Sequence, residues 1–266
     1  MILAMLSIIL LSILVAGCTS ESLSGVYLLS LSYTNSVPPA TVPMDQDPTI
    51  INPGLQTVFA AIATNNGSSS PAPLALEVRV GYMGMCLSRS SGGWFCSTTA
   101  ASLASYVRDT GSSIVNRGGS GDPLNLIHVG DAFKGGVVFM ALIIVSMVFA
   151  LFCIALMATF PGWHQEEDDE GSEREVKPFP SESVSRLACA SSMVSAALAF
   201  VSAFWQHLSS AAAGTMVGGL TYGAATAHTG VSAIVLGWMG TSLILLVVAG
   251  LVLMILSFKV LRQIMD

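Results

Sequence analysis

The sequence predicts an α-helical membrane protein, a four-transmembrane-helix bundle carrying a small disulfide-braced extracellular β-sheet. Three observations predict it. Hydrophobic residues make up 53% of the 266-residue chain and charged residues only 10%, against roughly 25% charged in soluble proteins. The apolar residues are gathered into blocks instead of recurring with a helical or strand period. The one long stretch of different character, Cys18 to about Gly130, combines Pro, Gly and Ser clusters with strand-like alternation and the pair Cys86 and Cys96.

Met1 to Gly17 is apolar apart from Ser7 and Ser12, and short against the ~20 residues a bilayer crossing needs. Three readings compete. It is a first transmembrane helix extended by flanking residues, which is adopted here. It is a cleaved signal peptide, although no Lys or Arg marks an n-region. Or it is a bacterial lipoprotein leader, because Leu14-Val15-Ala16-Gly17-Cys18 has the form of a lipobox; three later spans argue against that.

Residues 18–134 form a large first loop. Gly25 to Tyr33, Leu74 to Tyr82 and Trp94 to Thr99 read as strands; in the second, Leu76, Val78, Val80 and Tyr82 alternate with Glu77 and Arg79, one apolar face and one wet. Asn65 to Pro73 reads as a turn, and Asn66 heads a glycosylation sequon, meaningful only if the loop faces the lumen. Residues 135–160 are the second span, uncharged and closed by Pro161-Gly162, with Trp163 placed as an interfacial aromatic. Residues 161–186 are a solvated acidic loop containing the run Glu166 to Glu170. Residues 187–207 are the third span, whose Ala188, Ser192, Ala196, Ala199 and Ala203 let helix backbones approach closely. Residues 208–230 are a second, uncharged loop, 231–258 the fourth span and 259–266 a tail.

Short loops rich in Lys and Arg stay in the cytoplasm. Arg174, Lys177 and Arg186 mark the acidic loop, and Lys259 and Arg262 the tail, while 208–230 has no basic residue. Both termini and the acidic loop therefore belong inside, and the two other loops outside. A disulfide needs the oxidising side.

Five cysteines leave at least one unpaired. Cys153 and Cys189 fall within apolar spans, where a thiol acts as a small hydrophobe. Cys86 and Cys96 flank a plausible turn, Ser88 to Gly93, and strand–turn–strand geometry can bring them to bridging distance. Such a bridge pins two strands of a sheet with little core of its own. Gly81 and Gly84 point to a close backbone approach or a bulge. Trp94 can pack on the disulfide or rest at the membrane interface.

These residues also carry a resemblance. Gly81-Tyr82-Met83-Gly84-Met85-Cys86, followed ten positions later by Cys96 within Trp94-Phe95-Cys96, resembles the claudin-like tetraspan superfamily. It looks closest to its fungal branch of calcium regulators and membrane fusion proteins of mating. The animal claudin pattern has Trp three residues before the first Cys; here that position is Met83. The resemblance implies a plasma-membrane address and a role in low-affinity calcium influx and cell fusion during mating or polarised growth. The alternative is a structural tetraspan that organises membrane domains or the cell cortex.

A calcium path needs carboxylates at membrane depth or ringed around a pore. No Asp or Glu lies inside the four spans, and Asp45, Asp47, Asp109, Asp122 and Asp131 are scattered along the first loop. Regulation of a separate channel fits better than conduction by this chain alone, although a ring of Asp131 in an oligomer stays open. The run Glu166 to Glu170 lacks the alternating ligands and turn glycine of an EF-hand. Gln206, His207 and His228 sit at helix ends, where polar residues are ordinary. No catalytic motif is present, and no cofactor, metal site or nucleic-acid partner is implied. The expected partners are membrane lipids, a calcium channel or other membrane protein, or a second copy of the chain.

Overall fold

The computed structural model describes residues 1–34, 53–65, 76–89, 93–111, 122–160, 164–167, 173–176 and 182–265. In chain order the elements are α1 (Ile2–Val15), β1 (Leu29–Tyr33), α2 (Pro53–Asn65), β2 (Leu76–Val80), β3 (Met85–Arg89), β4 (Trp94–Ser97), α3 (Ala100–Gly111), α4 (Leu126–Val137), α5 (Met140–Ala158), β5 (His164–Glu167), β6 (Glu173–Val176), α6 (Glu182–Leu220), β7 (Ala225–Thr229) and α7 (Val231–Met265). They form two compact units: Met1–Ser12, Ala141–Ala203 and Leu236–Asp266 make a helical one, and Ile13–Met140 with Phe204–Val235 a sheet-bearing one.

The helical unit exposes a surface that a soluble protein would bury. Many of its buried positions are small or hydroxylated, among them Ser7, Ser146, Ala150, Ala188, Ser192, Ser195, Ala199 and Thr241, beside a few large aliphatic ones, Leu11, Ile143, Ile154, Ile244 and Leu251. Its exposed positions are large and apolar, among them Val148, Leu151, Phe152, Met193, Val201, Leu246 and Leu253. Water would not tolerate such a surface; a hydrocarbon solvent matches it, and helix association there relies on close packing of small residues and on hydrogen bonds. Among the described residues three helices are long and apolar enough to cross a bilayer, within Met140–Ala158, Ser183–Leu220 and Val231–Val260. The protein is a membrane protein. α1 is apolar but has only 14 residues.

On α6 the buried residues Ser185, Ala188, Ser192, Ser195, Ala199, Ser202 and Gln206 recur at alternating steps of three and four, a heptad seam of small side chains that ends at the larger Gln206. All five small residues singled out in the third span are buried. Ser195 Oγ donates to the Ser146 carbonyl at 2.8 Å, and Ser191 Oγ to that of Phe149 at 2.9 Å, so α5 and α6 are stitched through backbone acceptors. α1 is held likewise: Ser7 Oγ donates to the Gly240 carbonyl at 2.7 Å.

The sheet-bearing unit holds a five-stranded antiparallel sheet in the order β4-β3-β2-β1-β7. Its register aligns Leu31 with Val78 and Ala227, and Val78 with Leu87. Strand alternation then collects Leu29, Leu31, Val78, Val80, Met85 and Leu87 on one face, all buried. α4 seats on that face at Gly130, where a Cβ would stand 2.9 Å from Val80 Cγ2. α3 adds Leu103 and Val107, both buried, and Tyr106 stacks on Phe95 of β4 at 4.4 Å. Asp122 caps α4: its carboxylate accepts the Leu126 and Ile127 amides at 2.9 and 3.1 Å.

Several expectations are corrected. The first loop carries three helices, α2, α3 and α4, as well as strands. β3 begins at Met85 and reaches Arg89, inside the stretch read as a turn. The second span is not continuous from Gly135: α4 ends at Val137 and α5 starts at Met140. The third helix does not stop at residue 207 but continues to Leu220, because Ala-rich chain without a breaker favours helix. The remainder of 208–230 supplies β7, a fifth strand. In the acidic loop β5 and β6 pair antiparallel, Glu166 opposite Arg174. Asn66, Asp45, Asp47, Trp163 and the rest of the acidic run lie outside the described residues.

Candidate functional site

The family-type motif is gathered where the β2–β3 turn meets the chain leaving α1. The Gly81 amide donates to the Gly84 carbonyl at 2.8 Å, closing the turn. A Cβ on Gly81 would collide with the Gly17 carbonyl, and one on Gly84 with the Cys18 carbonyl. These glycines are thus required by backbone crossing backbone. Between them Tyr82 is buried, and its hydroxyl donates to Gln206 Oε1 on α6 at 3.1 Å. The Gln206 Nε2 is buried and has no hydrogen-bond partner among the described residues. Met83 is exposed.

Cys86 on β3 faces Cys96 on β4 in register, and the two are joined in a disulfide with Cα atoms 4.0 Å apart. Because Arg79 lies opposite Cys86, the bridge is on the face away from α3 and α4. The chain after α1 covers it, with the Cys18 carbonyl oxygen 3.5 Å from Cys86 Sγ. Cys18 is a free, buried thiol with φ of 58°. Burial, partly opposed by the Arg79 charge, pushes this thiol up to about 12.

Arg79 is the polar hub of that face. Its guanidinium carbon lies 4.0 Å from the Trp94 ring centre and 4.6 Å from that of Tyr27. Its Nε donates to Glu77 at 2.9 Å and its Nη1 to the Ser24 carbonyl at 3.1 Å. Glu77 also accepts from Ser30 at 2.8 Å. Trp94 therefore packs under an arginine. Replacing Arg79 with Ala is expected to destabilise the unit by about 1–2 kcal/mol through lost cation–π and packing contacts. Thermal unfolding in detergent reads this out, and Arg79→Lys should recover only part because an ammonium lacks the flat stacking surface.

At the end of β1 Tyr33 donates to Asp122 at 2.5 Å and accepts the Leu124 amide at 3.0 Å. Burial and then the Asp122 charge push the Tyr33 phenol above its ordinary range. Asp122 is consumed by this capping, while Asp131, His207 and His228 are exposed. Among the described residues no three His, Cys, Asp or Glu side chains come together. The crossing at Gly17-Cys18, the Arg79 hub and the Tyr33–Asp122 bond carried no signal in sequence, since each joins residues far apart in the chain.

A family model described as Ca2+ regulator and membrane fusion protein Fig1 matches residues 62–257, well over half of the chain. The chain belongs to the Fig1 family. No curated protein and no solved structure matches it. The Fig1 match takes in the glycine turn, the disulfide, Trp94, α5, α6 and most of α7, whereas α1, Cys18 and β1 precede it.

Proposed function

We propose that this protein is a plasma-membrane regulator of calcium influx and of membrane or cell fusion during fungal mating or polarised growth, acting through its disulfide-braced sheet on the outer side. The observation that carries this reading is the Fig1 match over residues 62–257. In this reading α1 is a fourth, retained span in a claudin-like arrangement, and both termini are cytoplasmic. The Ser7 bond to Gly240 and the seating of Leu11 against Gly240 support retention, since a cleaved leader would forfeit both. The basic residues Arg186 and Lys259 at the ends of the uncharged stretches support the orientation.

The chain regulates a channel and does not form one by itself. No Asp or Glu occurs between Leu187 and Phe258 or between Gly135 and Phe160, so calcium would meet no carboxylate along these spans. Cytosolic calcium after a mating or growth stimulus tests the proposal in a deletion strain. The rise should be reduced there and restored by the wild-type chain, while the purified chain alone in planar bilayers passes no calcium current. An unchanged calcium rise with altered membrane patches would instead establish a structural organiser.

A further inference from the structure

The end of α6 carries a second feature of the sheet-bearing unit, and its interpretation rests on the fusion role proposed above. Phe139, the residue before α5, meets Trp205 with ring centres 5.7 Å apart, and both are exposed. α5 has 19 residues, about 28 Å of helix, which matches the hydrocarbon core on its own. An exposed Phe–Trp pair at its N-terminal end marks the membrane surface. From Trp205, α6 continues to Leu220, a further ~22 Å at 1.5 Å per residue. It ends in a tip where Met216 is 64%, Leu220 76% and Tyr222 42% exposed.

This tip is held in shape. Thr221 Oγ1 donates to the Val217 carbonyl at 2.7 Å and accepts the Ala225 amide at 3.1 Å. The Gly223 amide closes on the Gly218 carbonyl at 2.9 Å. Tyr222 is kept at φ of 50°, a left-handed conformation that bulky residues avoid. Strain retained at an exposed aromatic is a pointer to function. From Leu187 to Phe258 the chain has no Asp, Glu, Lys or Arg, so no ion would need dehydration on entry into lipid.

We propose that the α6–β7 turn inserts Met216, Leu220 and Tyr222 into an apposed lipid bilayer. The bilayer is favoured over a protein partner on size. Three side chains on one turn fall well short of the roughly 800 Å² per side of a stable protein interface. A bilayer needs no matching groove and rewards each large apolar side chain separately.

Co-flotation tests this. The full chain in nanodiscs is mixed with vesicles of pure phosphatidylcholine, which carry no net charge. Wild type should float with the vesicles and keep doing so at high salt. The Met216→Asp, Leu220→Asp double variant should lose at least about tenfold in vesicle association, with disulfide formation and thermal unfolding unchanged because both positions are exposed. Leu220→Trp should retain association, and its added fluorescence should be quenched when only the added vesicles contain brominated lipid. Failure of wild type to float, equal flotation of the double variant, or flotation only when the vesicles also carry the chain would each overturn the inference. The last result would assign the tip to a second copy. The calcium measurement in the deletion strain is independent of all these, so the tip can fail while the broader reading stands, and the reverse.

Discussion

Gly84→Ala is expected to destabilise the sheet-bearing unit by about 3 kcal/mol, the upper end of the range for overpacking. A glycine-to-alanine change at a compatible site usually stabilises by about 0.4–1 kcal/mol, because it restricts the unfolded chain. At Gly84 the added Cβ would run into the Cys18 carbonyl carbon and oxygen and approach the Thr19 amide. All three are backbone atoms, so no side chain can rotate away. Relief requires the strand turn to separate from the chain leaving α1, which also uncovers Cys86. Gly25→Ala is the control: no described residue lies within 4 Å of its Cβ position, and its effect should stay within about 0.5 kcal/mol. Unfolding midpoints of the two variants in one detergent compare them directly. Equal midpoints would mean that the crossing is looser than the structure shows.

The glycine pair illustrates how much of this molecule was legible in sequence. Gly81 and Gly84 beside an alternating strand signal a close approach, but not the identity of the approaching chain. Gly17 and Cys18 lie more than sixty positions earlier, and only tertiary structure brings them there. The same holds for the sheet. β2 was readable because Leu76, Val78 and Val80 alternate with Glu77 and Arg79, and its burial follows that pattern. β7, Ala-Thr-Ala-His-Thr, has almost no hydrophobic alternation; its place is set by backbone pairing with β1 from Leu29 to Tyr33. The membrane blocks were legible because lipid demands long apolar runs. Their ends were not, since α6 continues past Trp205 through Ala and Ser residues that suit helix in water and lipid alike.

The bundle interior was partly legible for a related reason. Small residues at helical spacing on the third span identify a packing seam, and the structure buries that seam. Which serines hold the seam together depends on the opposite helix. Ser146 and Ser195 exchange bonds through each other's carbonyls, a pairing no single-helix pattern contains.

Cys86→Ser is expected to cost about 2.5–3 kcal/mol by the chain-entropy model for a loop of this length, in a sheet that has one covered hydrophobic face. The variant should unfold at a lower temperature. It also exposes a choice of partners, because Cys96 loses its mate while Cys18 lies beside position 86. Attack on a neighbouring sulfur needs a thiolate, and burial holds the Cys18 thiol near 12. Cys18 therefore stays protonated at neutral pH and does not rescue the bridge. Thiol labelling of the folded variant should modify Cys96 and spare Cys18, and denaturant should make both reactive. The same burial fixes a pH dependence in the parent protein. The Cys18 thiol ionises in the unfolded chain near 9.0 but in the folded one only at about 12. Its contribution to stability is thus complete below pH 9.0 and is lost progressively as pH rises toward 12. Cys18→Ala should flatten this alkaline loss while leaving the Cys86–Cys96 bridge intact. A mixed Cys18–Cys96 disulfide in the Cys86→Ser variant at neutral pH would show that the thiol is less shielded than its surroundings require.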